Sequence, residues 1–213
     1  MNMEPDYFAK AAATWDNEPR RIALMKAVGE AILREVRPTR EMDALDYGCG
    51  TGLIGLFILP HVRSVTGADS SSAMLNVLRK KIAESGVSNM SVIKLDLQHD
   101  PLPAERYHLI VTNMTLHHVA DADAVMRAFC ELLWPGGMLG IADLDTEPGI
   151  FHPPHAAGSV HHNGFDRGEL KIRLEEIGFE ETRDTTAHTI RRPVQDGSEH
   201  EFPVFLITAR RPC

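Results

Sequence analysis

Cysteine is scarce in this sequence: Cys49, Cys130 and Cys213 are scattered through 213 residues with no paired spacing. An odd, dispersed set excludes a disulfide framework and fits reduced thiols in a cytoplasm, the expected location. Long apolar runs are also missing. The longest, residues 53–59, falls far short of the ~20 residues of a membrane span, so no membrane partner is expected. Residues 1–6 are polar and acidic with no apolar stretch, and no secretion signal is expected there. Basic charge is in short supply. Lys and Arg number 22 against 30 Asp and Glu, a net charge of −8. That balance repels phosphate backbones and makes nucleic acid a poor partner. The run Arg79-Lys80-Lys81 and the pairs Arg20-Arg21, Arg191-Arg192 and Arg210-Arg211 read as solvated faces. Internal repeats and low-complexity tracts are absent.

What is present alternates strand and helix. Residues 18–36 read as an amphipathic helix, with Ile22, Met25, Val28, Ile32 and Val36 at steps of three and four and Pro38 beyond. A strand at 44–47 runs into a glycine-rich turn at 48–52 and a helix at 53–59. A second strand, 64–68, ends at Asp69. The helix 71–84, capped by Ser70 or Ser71, stops at Gly86. A third strand, 91–95, ends at Asp96, and a fourth, 107–111, ends near Asn113. Asp121 caps a helix reaching about Leu133. Residues 134–137 form a turn, and a fifth strand, 138–142, ends at Asp143. This rhythm predicts a parallel sheet with helices on both faces. After Asp145 the pattern changes. Residues 146–164 form a proline- and glycine-rich loop that also holds His152, His155, His161 and His162. A helix at 166–177 follows, and two extended stretches, 179–192 and 202–209, pair as a hairpin through Asp196-Gly197.

Ligands of open α/β sheets lie beyond the carboxyl ends of the strands, and the informative residues cluster there. The run Asp46-Tyr47-Gly48-Cys49-Gly50-Thr51-Gly52 ends the first strand, where glycines let the backbone approach a ligand. Asp69, roughly twenty residues on, is placed to accept from ribose hydroxyls. Asp96 can accept from an exocyclic amine. Together they describe a nucleoside pocket.

These segments, with Leu95-Asp96-Leu97, Asn113 through Leu116-His117-His118 and Pro135-Gly136-Gly137, resemble the motif set of class I S-adenosylmethionine-dependent methyltransferases, small-molecule type. The resemblance runs from about Tyr7 to Arg211. It implies a doubly wound, Rossmann-like seven-stranded sheet in the order 3-2-1-4-5-7-6 with strand 7 antiparallel. It also implies one domain over 1–213: a lid and helix at 1–36, a cofactor-binding core at 42–145, and a substrate-side loop, helix and hairpin at 146–213. It places Gly48, Gly50 and Gly52 along the methionine part of S-adenosylmethionine, Asp69 on the ribose, Asp96 on the adenine amine with Leu97 beside the ring, and Asn113 near the sulfonium. Asp46 faces the amino group of the cofactor, and Ser70, Met74 and His117 join the cofactor set. Tyr7, Phe8, Trp15 and Asp16 resemble the family's lid.

Blander readings stand beside these. Asp69 can cap a helix, Asp96 can begin a turn with Asp100, and Asp46 can accept from backbone amides. Met74 can be core, and either of His117 and His118 can bond a loop carbonyl. Gly50-Thr51-Gly52-Leu53-Ile54-Gly55 also spells a dinucleotide fingerprint. An NAD(P)-dependent oxidoreductase is therefore the alternative, though a second βαβαβ half is missing. A catalytically silent binding module is another.

The expected reaction moves a methyl group to an O, N or S atom of a small molecule by in-line displacement, leaving S-adenosylhomocysteine. Positioning and exclusion of water dominate such a transfer. His118 is the general-base candidate, with Asp143 a second catalytic candidate. Tyr7, Trp15, His118 and His162 are the expected substrate contacts. Residues 112–115 (Thr-Asn-Met-Thr) lack the Asn-Pro-Pro-Tyr motif of nucleic-acid amine enzymes, and Cys49 in the glycine turn and Cys130 after Phe129 do not resemble the Pro-Cys nucleophile of cytosine-C5 enzymes. Residues 1–18 and 146–164 must roof the pocket. The His152-x-x-His155 spacing and the adjacent His161-His162 pair complete no recognisable zinc pattern, so no metal is expected. A monomer or homodimer is anticipated.

Overall fold

The computed structural model describes residues 7–153, 158–194 and 197–213. Met1–Asp6, His155 and Asp196, all used above, lie outside the described residues.

The chain starts with a short helix α1 (Tyr7–Ala11) and a 3-10 turn (Ala12–Asn17). Helix α2 (Pro19–Val36) follows, with proline at its first position, where no N–H is needed. It ends at Arg37 in the left-handed region, φ 53°. The core then alternates β1 (Asp43–Tyr47), α3 (Leu53–Ile58), β2 (Ser64–Asp69), α4 (Ser72–Ser85), β3 (Met90–Lys94), β4 (Tyr107–Asn113), α5 (Ala122–Leu132) and β5 (Leu133–Leu144). Last come α6 (Arg167–Ile177), β6 (Glu180–Pro193) and β7 (Glu199–Arg210).

Helix starts follow side-chain caps. Ser71, Asp121 and Asp166 accept from the amides of Met74, Ala124 and Glu169. Gly86 and Gly178, at φ 68° and 111°, end α4 and α6.

The seven strands order as β3-β2-β1-β4-β5-β7-β6. β1 to β5 are parallel, and β7 runs antiparallel to both neighbours. Alternate side chains of each strand point to opposite faces, which gives two cores. Leu45, Ile110, Leu139 and Phe205 pack with α5 and α6 residues such as Phe129 and Leu170. Ala44, Val65, Leu109 and Leu206 pack with Ile32 of α2, Ile58 of α3 and Leu75 of α4. The fold class and order match the expectation. One detail differs: Trp134–Gly137 does not precede the fifth strand but bulges from it. Tyr107 pairs Leu133, and the register resumes at Leu109 with Met138. Among the described residues, no helix is long and apolar enough to cross a membrane.

Candidate active site

A cavity of about 570 Å³ opens beyond the carboxyl ends of β1, β2, β3 and β4. Its floor is the turn after β1. The amides of Gly48 and Cys49 donate to the Ala68 carbonyl, at 2.8 and 3.0 Å, which ties this turn to β2. The two glycines facing the cavity do different work. Gly48, at φ 69°, has no room for a side chain, because a Cβ would lie 2.3 Å from Thr115. A Cβ at Gly50, φ 53°, would meet nothing within 4 Å among the described residues.

Acids frame the floor. Asp69 Oδ2 accepts from the Gly50 amide at 2.8 Å and Oδ1 from the Ser71 amide at 2.7 Å. Asp96 lines the cavity and also builds a turn: it accepts from the Gln98 amide at 3.0 Å and meets His99 Nδ1 at 2.9 Å. Burial tends to raise its carboxyl pKa, but the His99 and Gln98 hydrogen bonds outweigh that and hold it below the ordinary value. Asp46 is 1 % exposed and accepts from the Gly55 amide of α3 at 2.8 Å. Burial pushes its pKa up to about 7, with the Gly55 hydrogen bond opposing and the Asp69 charge adding to the rise. Ser70, Met74 and Asn113 also line the cavity. The buried Asn113 Oδ1 meets no hydrogen-bond partner among the described residues.

The N-terminal segment covers one side, bringing Tyr7, Phe8 and Trp15 to the cavity. A polar clamp fixes it. Asp16 accepts from Thr51 Oγ1 at 2.6 Å and pairs with Lys81 Nζ at 2.6 Å, and Lys81 also donates to the Thr51 carbonyl at 2.7 Å. Arg21 donates to the Trp15 carbonyl at 3.0 Å and lies 3.8 Å over the Trp15 ring. Lys81 and Arg21 are therefore not solvated faces. Arg192, from β6, lines the cavity as well.

The opposite wall is imidazole. His117, on the 3-10 turn Leu116–His118, directs Nδ1 to Asp143 Oδ1 at 2.6 Å, and Asp143 Oδ2 accepts the His117 amide at 3.3 Å. The His117 carbonyl accepts the amides of His161 and His162, at 2.9 and 3.1 Å, docking that part of the loop after β5. His118 Nδ1 lies 2.6 Å from the Ser159 carbonyl, so Nδ1 carries the proton and Nε2 the lone pair. His152 arrives from that same loop, 5.0 Å from His117 and 5.1 Å from His118 between ring centres. Its place is set by Glu147 Oε2, which accepts the Ile150 and Phe151 amides, and by Phe151 packed on Phe202. Burial, then the neighbouring His117, lowers the His118 pKa to about 4 and that of His152 to about 3.

Four expected site residues stand elsewhere. Gly52 is not at the cavity: it caps α3 at φ 81°, and a Cβ there would lie 2.3 Å from Leu78. Leu97 packs in the α5 core and donates its amide to Tyr47 Oη at 3.2 Å, while Leu95 and Gln98 reach the cavity instead. Asp143 is fully covered and lies behind His117, so it positions that ring and does not line the cavity. His162 turns its Nε2 to the Val119 carbonyl at 3.0 Å and packs on Phe165; His161 takes its place at the cavity. Sequence reading missed His152 as a partner of His117 and His118, because thirty-odd residues and a strand separate them. The dinucleotide alternative loses its footing here. Gly55 serves Asp46, and after β5 the chain forms an antiparallel hairpin where a second mononucleotide half would be needed.

A methyltransferase domain family matches residues 44–137. An uncharacterized methyltransferase of Schizosaccharomyces pombe is 33% identical over 137 residues, covering 58% of this chain and 48% of that protein. A ubiquinone biosynthesis O-methyltransferase of Marinobacter nauticus is 34% identical over 111 residues, covering 51% and 46%. The chain spans about half the length of these curated relatives. Among solved structures, phosphoethanolamine N-methyltransferase 2 of Haemonchus contortus, in complex with S-adenosyl-L-methionine, shares the fold. Its TM-score is 0.70 at 14% identity, over 87% of this chain and 52% of that one. Motifs, strand order and sequence relatives agree: residues 44–137 match a methyltransferase domain, and the chain is similar to class I S-adenosylmethionine-dependent methyltransferases.

Proposed function

We propose that this chain transfers a methyl group from S-adenosylmethionine to an O, N or S atom of a small-molecule acceptor, by in-line displacement. One observation carries the reading. The carboxylate-framed floor beyond β1 to β3 is continuous with a chamber walled by Tyr7, Phe8, Trp15 and imidazoles. The residues present suit the cofactor. Gly50 leaves room for a ligand, the Asp69 carboxylate lines the cavity beside it, and Asn113 Oδ1 is buried with nothing described to bond it.

S-adenosylmethionine, when bound, supplies a methyl carbon activated by its sulfonium, and transfer leaves S-adenosylhomocysteine. In this reading Gly48 and Gly50 pass along the methionine part, with Asp46 behind them facing the amino group. Asp69 and Ser70 hold the ribose, Asp96 the adenine amine, and Met74 lies along the adenosine. Asn113 and His117 stand near the sulfonium. Tyr7 and Trp15 close over the acceptor and exclude water. His118, its Nδ1–H committed to Ser159, offers Nε2 to the acceptor's proton. The relatives named for ubiquinone biosynthesis and for phosphoethanolamine support a small acceptor. The assay is release of S-adenosylhomocysteine against pooled hydroxyl, amine and thiol metabolites. Turnover with one pool supports the reading. Cofactor binding without turnover on any pool points to a silent module.

A further inference from the structure

We propose that His117, His118 and His152 bind one zinc-type divalent cation on the acceptor side of the cavity. One ring nitrogen of each lies within 4.8 Å of the others. A tetrahedral ion with bonds of about 2.0–2.1 Å needs separations of about 3.3 Å, so modest side-chain rotation closes the set. The donors are oriented for it. His117 is 1 % exposed and turns Nδ1 to Asp143, the carboxylate–histidine arrangement that fixes a metal-binding imidazole. His118 likewise turns Nδ1 to a carbonyl, which leaves Nε2 as the ligand. The buried Nε2 atoms of His117 and His152 meet no partner among the described residues, an arrangement that costs stability unless something fills it. Three nitrogen donors favour zinc-like ions over magnesium or calcium.

Three protein ligands leave a fourth position open toward the chamber, as in catalytic rather than structural zinc sites. Arg192 faces the same chamber, so an anion suits that position best. This specifies the acceptor class: a small molecule whose hydroxyl or thiol ionises as it ligates. That part rests on the methyl-transfer reading; the cation site itself rests on the histidines. With the ion bound, His118 Nε2 is a ligand and has no lone pair for a proton, so the proton that the acceptor loses on ligation passes to solvent in place of His118.

The test titrates chelator-treated protein with Co(II), followed by visible absorption, and with Zn(II), followed by calorimetry. One equivalent should bind, with the visible bands of a tetrahedral Co(II) site. His152→Gln and His118→Gln should each weaken binding beyond the roughly 10–100-fold expected of Asp143→Asn, which alters only the outer shell. S-adenosylhomocysteine titrated into His152→Gln should bind as in the parent. No saturable cation binding, or equal affinity in both histidine variants, overturns the proposal. S-adenosylhomocysteine binding to the metal-free chain in that event leaves the methyltransferase reading standing.

Discussion

His117 and Asp143 meet at 2.6 Å with both side chains 1 % exposed, a buried imidazole–carboxylate pair at the end of β5. The Asp143 carboxylate accepts three protein hydrogen bonds, two from His117 and one from the Leu144 amide. It therefore holds both the ring and the backbone of the turn that walls the chamber.

Breaking such a pair from one side leaves buried polar groups without partners. Asp143→Ala is expected to cost about 3–5 kcal/mol of folding stability, and Asp143→Asn, which still accepts from Nδ1–H, distinctly less. Urea unfolding of the two variants checks the order; equal losses would show that the hydrogen bond contributes little.

Gly48→Ala and Gly50→Ala should fail differently. Both pay about 1–2 kcal/mol for a side chain in the left-handed region. Only at Gly48 does the new Cβ strike Thr115, so that variant should lose further stability. Gly50→Ala should fold and melt only a few degrees lower yet lose affinity for S-adenosylhomocysteine, because its Cβ enters space assigned to the ligand. Melting curves and calorimetry on the same preparations separate the two.

Asp46 gives stability a pH dependence whose sign is fixed. Its folded pKa, about 7, lies above the ordinary 3.8 because burial disfavours the charge. The folded chain thus holds this proton more tightly than the unfolded chain. The contribution is fully present below the ordinary carboxylate value and is lost as pH rises through about 7. Asp46→Asn keeps an acceptor for the Gly55 amide and should remove this slope, on the order of a few kcal/mol across the window. Parallel pH profiles of the two proteins would contradict the assignment.

The clamp from Asp16 to Thr51 and Lys81 joins the N-terminal cover to the glycine turn. Partly exposed ion pairs such as Asp16–Lys81 contribute about 1 kcal/mol or less. Asp16→Ala should therefore weaken S-adenosylhomocysteine binding by no more than about fivefold while speeding proteolysis between residues 7 and 17. Unchanged proteolysis would show that the segment is held by Phe8 and Trp15 packing instead.

Strand and cap positions were legible because they follow local rules: apolar runs ending in Asp46, Asp69 and Asp96, and caps at Ser71, Asp121 and Asp166; the order of the strands followed only from the family resemblance. The strand-end acids and Asn113 were legible for the same reason, since parallel strands deliver their carboxyl ends to one edge. Side-chain direction was not. Leu97 and His162 sit one residue from positions that reach the cavity, and a shift of one residue decides whether a side chain meets core or ligand. Long-range docking was also hidden. Nothing local brings His152 beside His117, or turns Lys81 and Arg192 inward from runs that look solvated.

The central claim, that the acid-framed floor holds S-adenosylmethionine, is tested most directly by calorimetry of S-adenosylhomocysteine binding to the parent chain and to Asp69→Ala. One saturable site in the parent, none with NAD, and a loss of at least about tenfold in the variant, some 1.4 kcal/mol, is the predicted result. No heat with the parent chain, or equal affinity after the Asp69 carboxylate is removed, would contradict it.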